Sequence, residues 1–225
     1  GNSKTQRLVD ADFVASEISF NNGAAQFTVS QNIDTQTVRL GIVNIQLRGI
    51  HNVRNALGAL VMAISLGASF AQAATALAKF GGVARRFDNH GTHRGITYVD
   101  DYAHLPNEIS AVLAGARDKS DSWTRVVAVF QPNRFNRMSV ISHLYADSFS
   151  DADLVVVTDI YASGTAKIAG VTGELVVNAI RTAHPKLKVI YQPKRSGLIE
   201  FLDNELKPGD LCISMGCGDI AMLPS

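Results

Sequence analysis

Between Gly81 and Glu108 the chain reads GGVARRFDNHGTHRGITYVDDYAHLPNE, a run in which cations and carboxylates crowd together. Two adjacent arginines, Arg85 and Arg86, precede Phe87, and an apolar run from Ile96 to Val99 leads into Asp100, Asp101, Tyr102 and His104. A guanidinium is a planar fork that donates two parallel charge-assisted hydrogen bonds, a geometry suited to a phosphoryl group. A carboxylate at the end of a strand accepts from ribose hydroxyls or holds Mg2+. An Arg-Arg-Phe triplet taken alone reads as a surface pair beside a buried ring. Two neighbouring carboxylates, however, repel unless a positive charge relieves them, so the whole run reads as a site placed at a domain junction.

Further groups recur where other strands should end. Gln131-Pro132-Asn133-Arg134 with Arg137 follows the apolar run to Phe130, Asp159-Ile160-Tyr161 follows Leu154 to Thr158, and Gly216-Cys217-Gly218-Asp219 follows Leu211 to Met215. Arg134 and Arg137 lie three apart as a helix begins, so both can face one side and clamp a carboxylate. His104 is able to orient an amine or relay its proton. Earlier, His51, Asn52 and Asn55 share one face at the start of a helix, where free backbone N–H groups and the positive end of the dipole attract anions or polar heterocycles. An amide that both donates and accepts can read an adenine edge, and the same residues also serve as simple caps.

The elements that must position these groups follow from periodicity. From about Phe13 to Val43 apolar and polar residues alternate between turn signals at Asn22-Gly23 and at Asn32 and Asp34, which predicts a meander of short strands. Asn55 to Ala78 carries no charge and is long enough to span a bilayer. The segment LGAS from Leu66 to Ser69 reads as a helix end followed by a new N-cap, so two packed helices are expected and no membrane insertion. Gly81-Gly82 closes the second of them. From there strands are expected at 96–99, 126–130, 154–158, 189–191 and 211–215, alternating with helices at 106–117 and near 140–149, 174–183 and 197–206. Five strands alternating with helices predict an α/β fold with a mostly parallel sheet covered on both faces, whose ligands bind outside the carboxyl ends of the strands. The junction divides the chain into residues 1–84 and 85–225.

Composition narrows the function. The 225 residues include 46% hydrophobic and 18% charged side chains, enough for a proper core, and the net charge of +1 is spread rather than gathered on a basic face, so no nucleic-acid partner is expected. Cys212 and Cys217, five apart, match neither a CxxC pair nor a zinc set and read as reduced structural thiols of a cytoplasmic protein. The first ten residues show no signal-peptide pattern, so no export is expected. Gly216 to Ala221, GCGDIA, fits a dinucleotide fingerprint by spacing but reads as a tight turn, and no GxxxxGK[ST] loop occurs in the sequence.

Five motifs in one order carry a family likeness: HNVRN at 51–55, GGVARRF at 81–87, DDYAHLPNEI at 100–109, FQPNRFNR at 130–137 and DIYASG at 159–164. Together they resemble the Mur ligases, and among them most the member that joins L-alanine to UDP-N-acetylmuramate in peptidoglycan precursor synthesis. The resemblance implies an ATP- and Mg2+-dependent carbon–nitrogen ligase acting through an acyl phosphate. Residues 1–84 would be the end of an α/β ATPase domain, and 85–225 a C-terminal, Rossmann-like amino-acid-binding domain. By motif, Asn52 and Asn55 would contact adenine, Arg86 the γ-phosphate and Asp101 the ribose; Tyr102, His104, Asn133, Arg134 and Arg137 would form the alanine site, with Arg86 and His104 closest to the chemistry. The family's P-loop and main Mg2+ ligands would precede residue 1, which would leave this stretch inactive alone. Asn133 stands where the family often has His, Leu105 replaces a second His, and Thr165 a common Glu. A tripeptide-recycling sister ligase and a non-catalytic nucleotide or metabolite binding module are the competing readings.

Overall fold

Alternating side chains from Phe13 onward fold as three antiparallel strands, β1 (Phe13–Asn21), β2 (Ala24–Ile33) and β3 (Gln36–Ile45), in the order β1-β2-β3. The first turn is Asn22-Gly23, both residues with positive φ, as a two-residue hairpin requires. The computed structural model describes residues 11–117 and 123–223. The chain divides into two compact units, Gly1–Gly82 and Val83–Ser225.

In the first unit, α1 (Ile50–Ser65) and α2 (Phe70–Lys79) bury Val53, Ala56, Leu60 and Ala73 against Ala25, Phe27, Val29, Val43 and Ile45 of the sheet. Gly41, at φ 152°, faces the Phe70 ring where a β-carbon would lie 2.6 Å from it, so only glycine fits. The helices part where expected. Gly67 takes φ 98°, and Ser69 caps α2 through its hydroxyl to the Gln72 amide while Gln72 accepts from the Ser69 amide. Among the described residues no helix is long and apolar enough to cross a membrane.

The second unit is a six-stranded sheet in the order β4-β5-β9-β6-β7-β8. Its members are β4 (Asp88–His93), β5 (Ile96–Asp101), β6 (Arg125–Phe130), β7 (Leu154–Val157), β8 (Lys188–Tyr191) and β9 (Asp210–Met215). All neighbours run parallel except β4, which pairs antiparallel with β5. The five parallel strands match expectation; β4 adds a sixth. Its sequence, DNHGTH, has no apolar alternation because it is an edge strand exposed along nearly its whole length.

Both faces of the sheet are covered, as the near-continuous apolar strands require. Val126, Ala128 and Phe130 of β6 point to the side of α3 (Pro106–Ala116), α4 (Phe135–Ile141) and α5 (Glu174–Ala183); Val127 and Val129 point to the side of α6 (Arg195–Glu205). The helix expected near 140–149 instead starts at Phe135, ends at Ile141 and continues as a 3-10 turn to Tyr145. The left-handed φ of 65° at Arg134 turns the chain into the helix at once. Cys212 is buried in β9, where burial pushes its thiol up to about 12, and both cysteines are free.

Candidate amino-acid site on the carboxyl edge of the sheet

The chain leaves β6 and β7 toward the α3–α5 face but leaves β8 and β9 toward the α6 face. It therefore parts along the carboxyl edge, the place where open α/β sheets bind ligands. Backbone strain gathers there: Arg85, Phe87, Arg134 and Ser163 all have φ between 47° and 65°.

Asp100 and Asp101 do different work although they adjoin. Asp100 is buried; its Oδ2 accepts from Arg85 Nε at 2.8 Å and its Oδ1 from the Ser214 hydroxyl at 3.0 Å, while Arg85 also donates to the Gly216 carbonyl at 2.6 Å. This clasp ties the ends of β5 and β9 to the segment that precedes β4. Asp101 is also buried, and its two oxygens accept the backbone N–H groups of Phe87 and Ala103 at 2.8 and 2.7 Å. Burial raises its pKa, opposed by those two hydrogen bonds and by the Arg86 charge. Arg86 itself is exposed and stacks over the Tyr102 ring at 5.7 Å, with Arg85 over the same ring at 5.0 Å.

Tyr102 in turn meets the edge of the His104 ring, 5.4 Å between centroids. The His104 carbonyl accepts from the Tyr145 hydroxyl at 2.7 Å. Tyr145 is wholly buried, and burial pushes its hydroxyl well above the ordinary range; Arg137 pulls it back and Glu108 adds to the rise. A continuous set of neighbours thus runs from Arg86 through Tyr102, His104 and Tyr145 to Arg137.

Beyond β6, the bridge between Asn133 and Tyr161 and the Arg134 amide's bond to the Tyr161 carbonyl at 2.9 Å hold the loops after β6 and β7 side by side. Asn133 is 3% exposed, yet among the described residues its Nδ2 has no acceptor, and neither has the enclosed Arg137 NH1. Arg134 and Arg137 have no ion-pair partner among the described residues. Buried donors are almost always satisfied, so two orphans on one short segment ask for an acceptor-rich ligand, and a carboxylate supplies up to four lone-pair sites.

Beside this segment lies a cleft of about 420 Å3, lined among others by Gln131, Asp159, Tyr161, Arg195 and Asp219. Asp159 is largely spent on structure, accepting from the Ile160 and Gly173 amides. GCGDIA forms a turn and then a 3-10 helix, Asp219–Met222. Among the described residues no three His, Cys, Asp or Glu side chains gather to hold a metal ion.

In the first unit, Asn52 Nδ2 donates to the Arg48 carbonyl at 2.9 Å and lies 3.1 Å from His51 Nε2, while Asn55 is exposed. These two asparagines belong to the first unit and the other candidates to the second. Sequence reasoning missed Glu108, which accepts the amides of His104 and Leu105, because Leu105 lacks the hydroxyl of the usual capping pattern. It also missed Tyr145, which only the tertiary structure brings to His104.

Comparison with known proteins places the chain. Residues 85–218 match the family model described as Mur ligase, glutamate ligase domain. The UDP-N-acetylmuramate–L-alanine ligase of Crocosphaera subtropica is 42% identical over 183 residues, 80% of this chain and 35% of that protein. The crystal structure of the UDP-N-acetylmuramate-alanine ligase from Thermotoga maritima superposes with a TM-score of 0.76 at 26% identity, over 95% of this chain and 44% of that one. A murein peptide ligase from Psychrobacter arcticus gives 0.66 at 28% identity, over 95% and 42%. The chain therefore spans well under half the length of these relatives. With the family model covering more than half of its residues, the chain belongs to the Mur ligases.

Proposed function

We propose that this chain is part of an ATP-dependent ligase that joins L-alanine to UDP-N-acetylmuramate in peptidoglycan precursor synthesis, acting in the cytoplasm on small-molecule substrates. The observation that carries the amino-acid site is the pair of buried donors that find no acceptor among the described residues, Asn133 Nδ2 and Arg137 NH1, next to Arg134. A carboxylate of the incoming amino acid would fill both and neutralise the guanidinium charge. Tyr102 and His104 would flank its amine.

The remaining roles rest on the motifs. In the second unit, Arg86 is an exposed cation able to meet a transferring phosphoryl group. Asp101 would take a ribose hydroxyl only on the lone pair that each of its oxygens still carries beside a backbone bond. In the first unit, taken as the end of an ATP-binding domain, Asn52 and Asn55 would read adenine. Mg2+ is assigned no ligand on the described residues. The parent enzyme would activate the muramoyl carboxylate as an acyl phosphate, and the residues of the second unit's carboxyl edge would bind and orient the amine that displaces phosphate.

The test is acceptor-dependent phosphate release from ATP by the full-length protein with UDP-N-acetylmuramate. Release that requires L-alanine supports the proposal, and Arg134→Ala should then raise the L-alanine KM about a hundredfold with ATP binding unchanged. The cleft beside Tyr161, larger than an alanine side chain needs, favours a second reading in which the acceptor is a peptide; release with a tripeptide and not with L-alanine would select it.

A further inference from the structure

The ring of His104 is held in one proton arrangement by atoms that cannot donate. Its Nδ1 lies 3.1 Å from the Tyr102 carbonyl oxygen and 3.4 Å from Glu108 Oε2. The carbonyl has no hydrogen. Glu108 Oε2 already accepts the backbone amides of His104 and Leu105 at 3.0 and 3.1 Å, so a carboxyl proton has no place on it. The hydrogen in these contacts must sit on Nδ1. A neutral imidazole carries a single N–H, which leaves the lone pair on Nε2, and Nε2 makes no hydrogen bond among the described residues. Turning the ring over would put a carbon opposite the Tyr102 carbonyl and forfeit the Nδ1 contact, while the Tyr102 ring packs against the imidazole.

We infer that Glu108 is a positioning residue that fixes His104 as the Nδ1–H tautomer, so that His104 Nε2 takes a proton from the ammonium group of the amino-acid acceptor. The inference rests on the reading of this edge as an amino-acid site. An amino acid arrives as its ammonium form at neutral pH, and that nitrogen has no pair to attack with. In the step, an ammonium N–H bond breaks and the Nε2–H bond forms. The electron pair left on nitrogen then makes the C–N bond to the acyl carbon, the C–O bond to phosphate breaks, and the second proton that nitrogen loses leaves with the phosphate as hydrogen phosphate. The positive charge passes to an imidazolium whose Nδ1–H already faces the Tyr102 carbonyl and the Glu108 carboxylate. Arg137, the cation that acts on the Tyr145 hydroxyl, is engaged by the acceptor's carboxylate, while Arg85 and Arg86 lie over the Tyr102 ring and Arg85 is paired with Asp100. An orienting acceptor behind the working ring is the arrangement that commonly tunes histidines acting as ligands or bases.

Two measurements test it. Nitrogen-15 NMR of histidine-labelled protein, with His104→Gln to identify the signal, should show Nδ1 protonated and Nε2 bare in the neutral ring; the opposite tautomer overturns the inference. In the full-length protein, Glu108→Gln keeps an oxygen for both backbone amides and removes only the charge. It should lower kcat with the amino acid by about ten- to a hundredfold, move the amino-acid KM little, and leave acyl phosphate formation unchanged. An unchanged kcat means that Glu108 is only a helix cap and overturns the inference. Arg134→Ala separates the two levels. If it leaves the amino-acid KM unmoved, the reading of the site falls; if it raises KM while Glu108→Gln is neutral, only the role of Glu108 falls.

Discussion

The two edges of the second unit's sheet treat their charges in opposite ways. At the amino edge, Arg125 at the start of β6 grips Asp210 at the start of β9 with two bonds of 2.9 and 2.6 Å, and reaches Glu205 at 3.2 Å. Lys188 at the start of β8 meets the same Glu205 at 2.9 Å, and Asp153, just before β7, pairs with Arg117. Burial alone would push the Asp210 carboxyl up; the bonds from Arg125 and the Lys207 amide outweigh it and hold the group below the usual carboxylate range. At the carboxyl edge, among the described residues, Arg134 has no counter-charge, Asn133 and Arg137 leave donors unmet, and left-handed backbone recurs. Satisfied polar groups are what a protein spends on its own stability, and unsatisfied ones mark where a ligand completes the structure. The Arg85–Asp100 clasp shows that the carboxyl edge can also pair its charges where the framework needs it.

Breaking the satisfied edge should have the largest effect on the fold. Arg125→Met would strand the buried Asp210 and should lower the stability of the second unit by about 3 kcal/mol in urea unfolding, with the amino-acid KM unchanged while the protein stays folded. At the other edge the sign should reverse. Asn133→Leu removes an orphan donor and should raise stability by about 1 kcal/mol, while the amino-acid KM rises about tenfold. The pH response is the finest contrast. Asp210 is more acidic in the folded chain than in the unfolded one, so its ionisation stabilises the fold above about pH 4, and that share is lost as pH falls below. Thermal unfolding between about pH 5 and pH 3 should show this fall in the unmodified protein and a flat or reversed slope in Arg125→Met.

Much of the architecture was readable because apolar runs and turn residues report local structure. The helix break at Gly67 and Ser69 and the five parallel strands follow from spacing alone, and the polar clusters fall on the carboxyl edge because they follow strand ends. β4 was not readable: an exposed edge strand has no buried face to impress on its sequence. The early start of α4 depends on one left-handed residue, Arg134, of a type that seldom adopts that conformation. Among the candidate residues, DDYAH gave the position of Asp100 and Asp101 but not their division of labour, since which oxygens meet Arg85, Phe87 and Ala103 is decided by residues that approach from outside the motif. Tyr145 was hidden for the same reason, and Glu108 because Leu105 lacks the hydroxyl of the usual capping pattern.

The sheet order has a consequence for synthesis. β9 is the last of the six strands to leave the ribosome, yet it lies between β5 and β6. Until it emerges, the earlier strands can assemble only as two separate ribbons, β4 with β5 and β6 with β7 and β8, each with an apolar edge open to solvent. A nascent chain cut short before Asp210 therefore cannot pass for a finished one. Its unsealed ribbons expose the pattern that chaperones and proteases recognise, so the fold carries its own check that translation has run through β9.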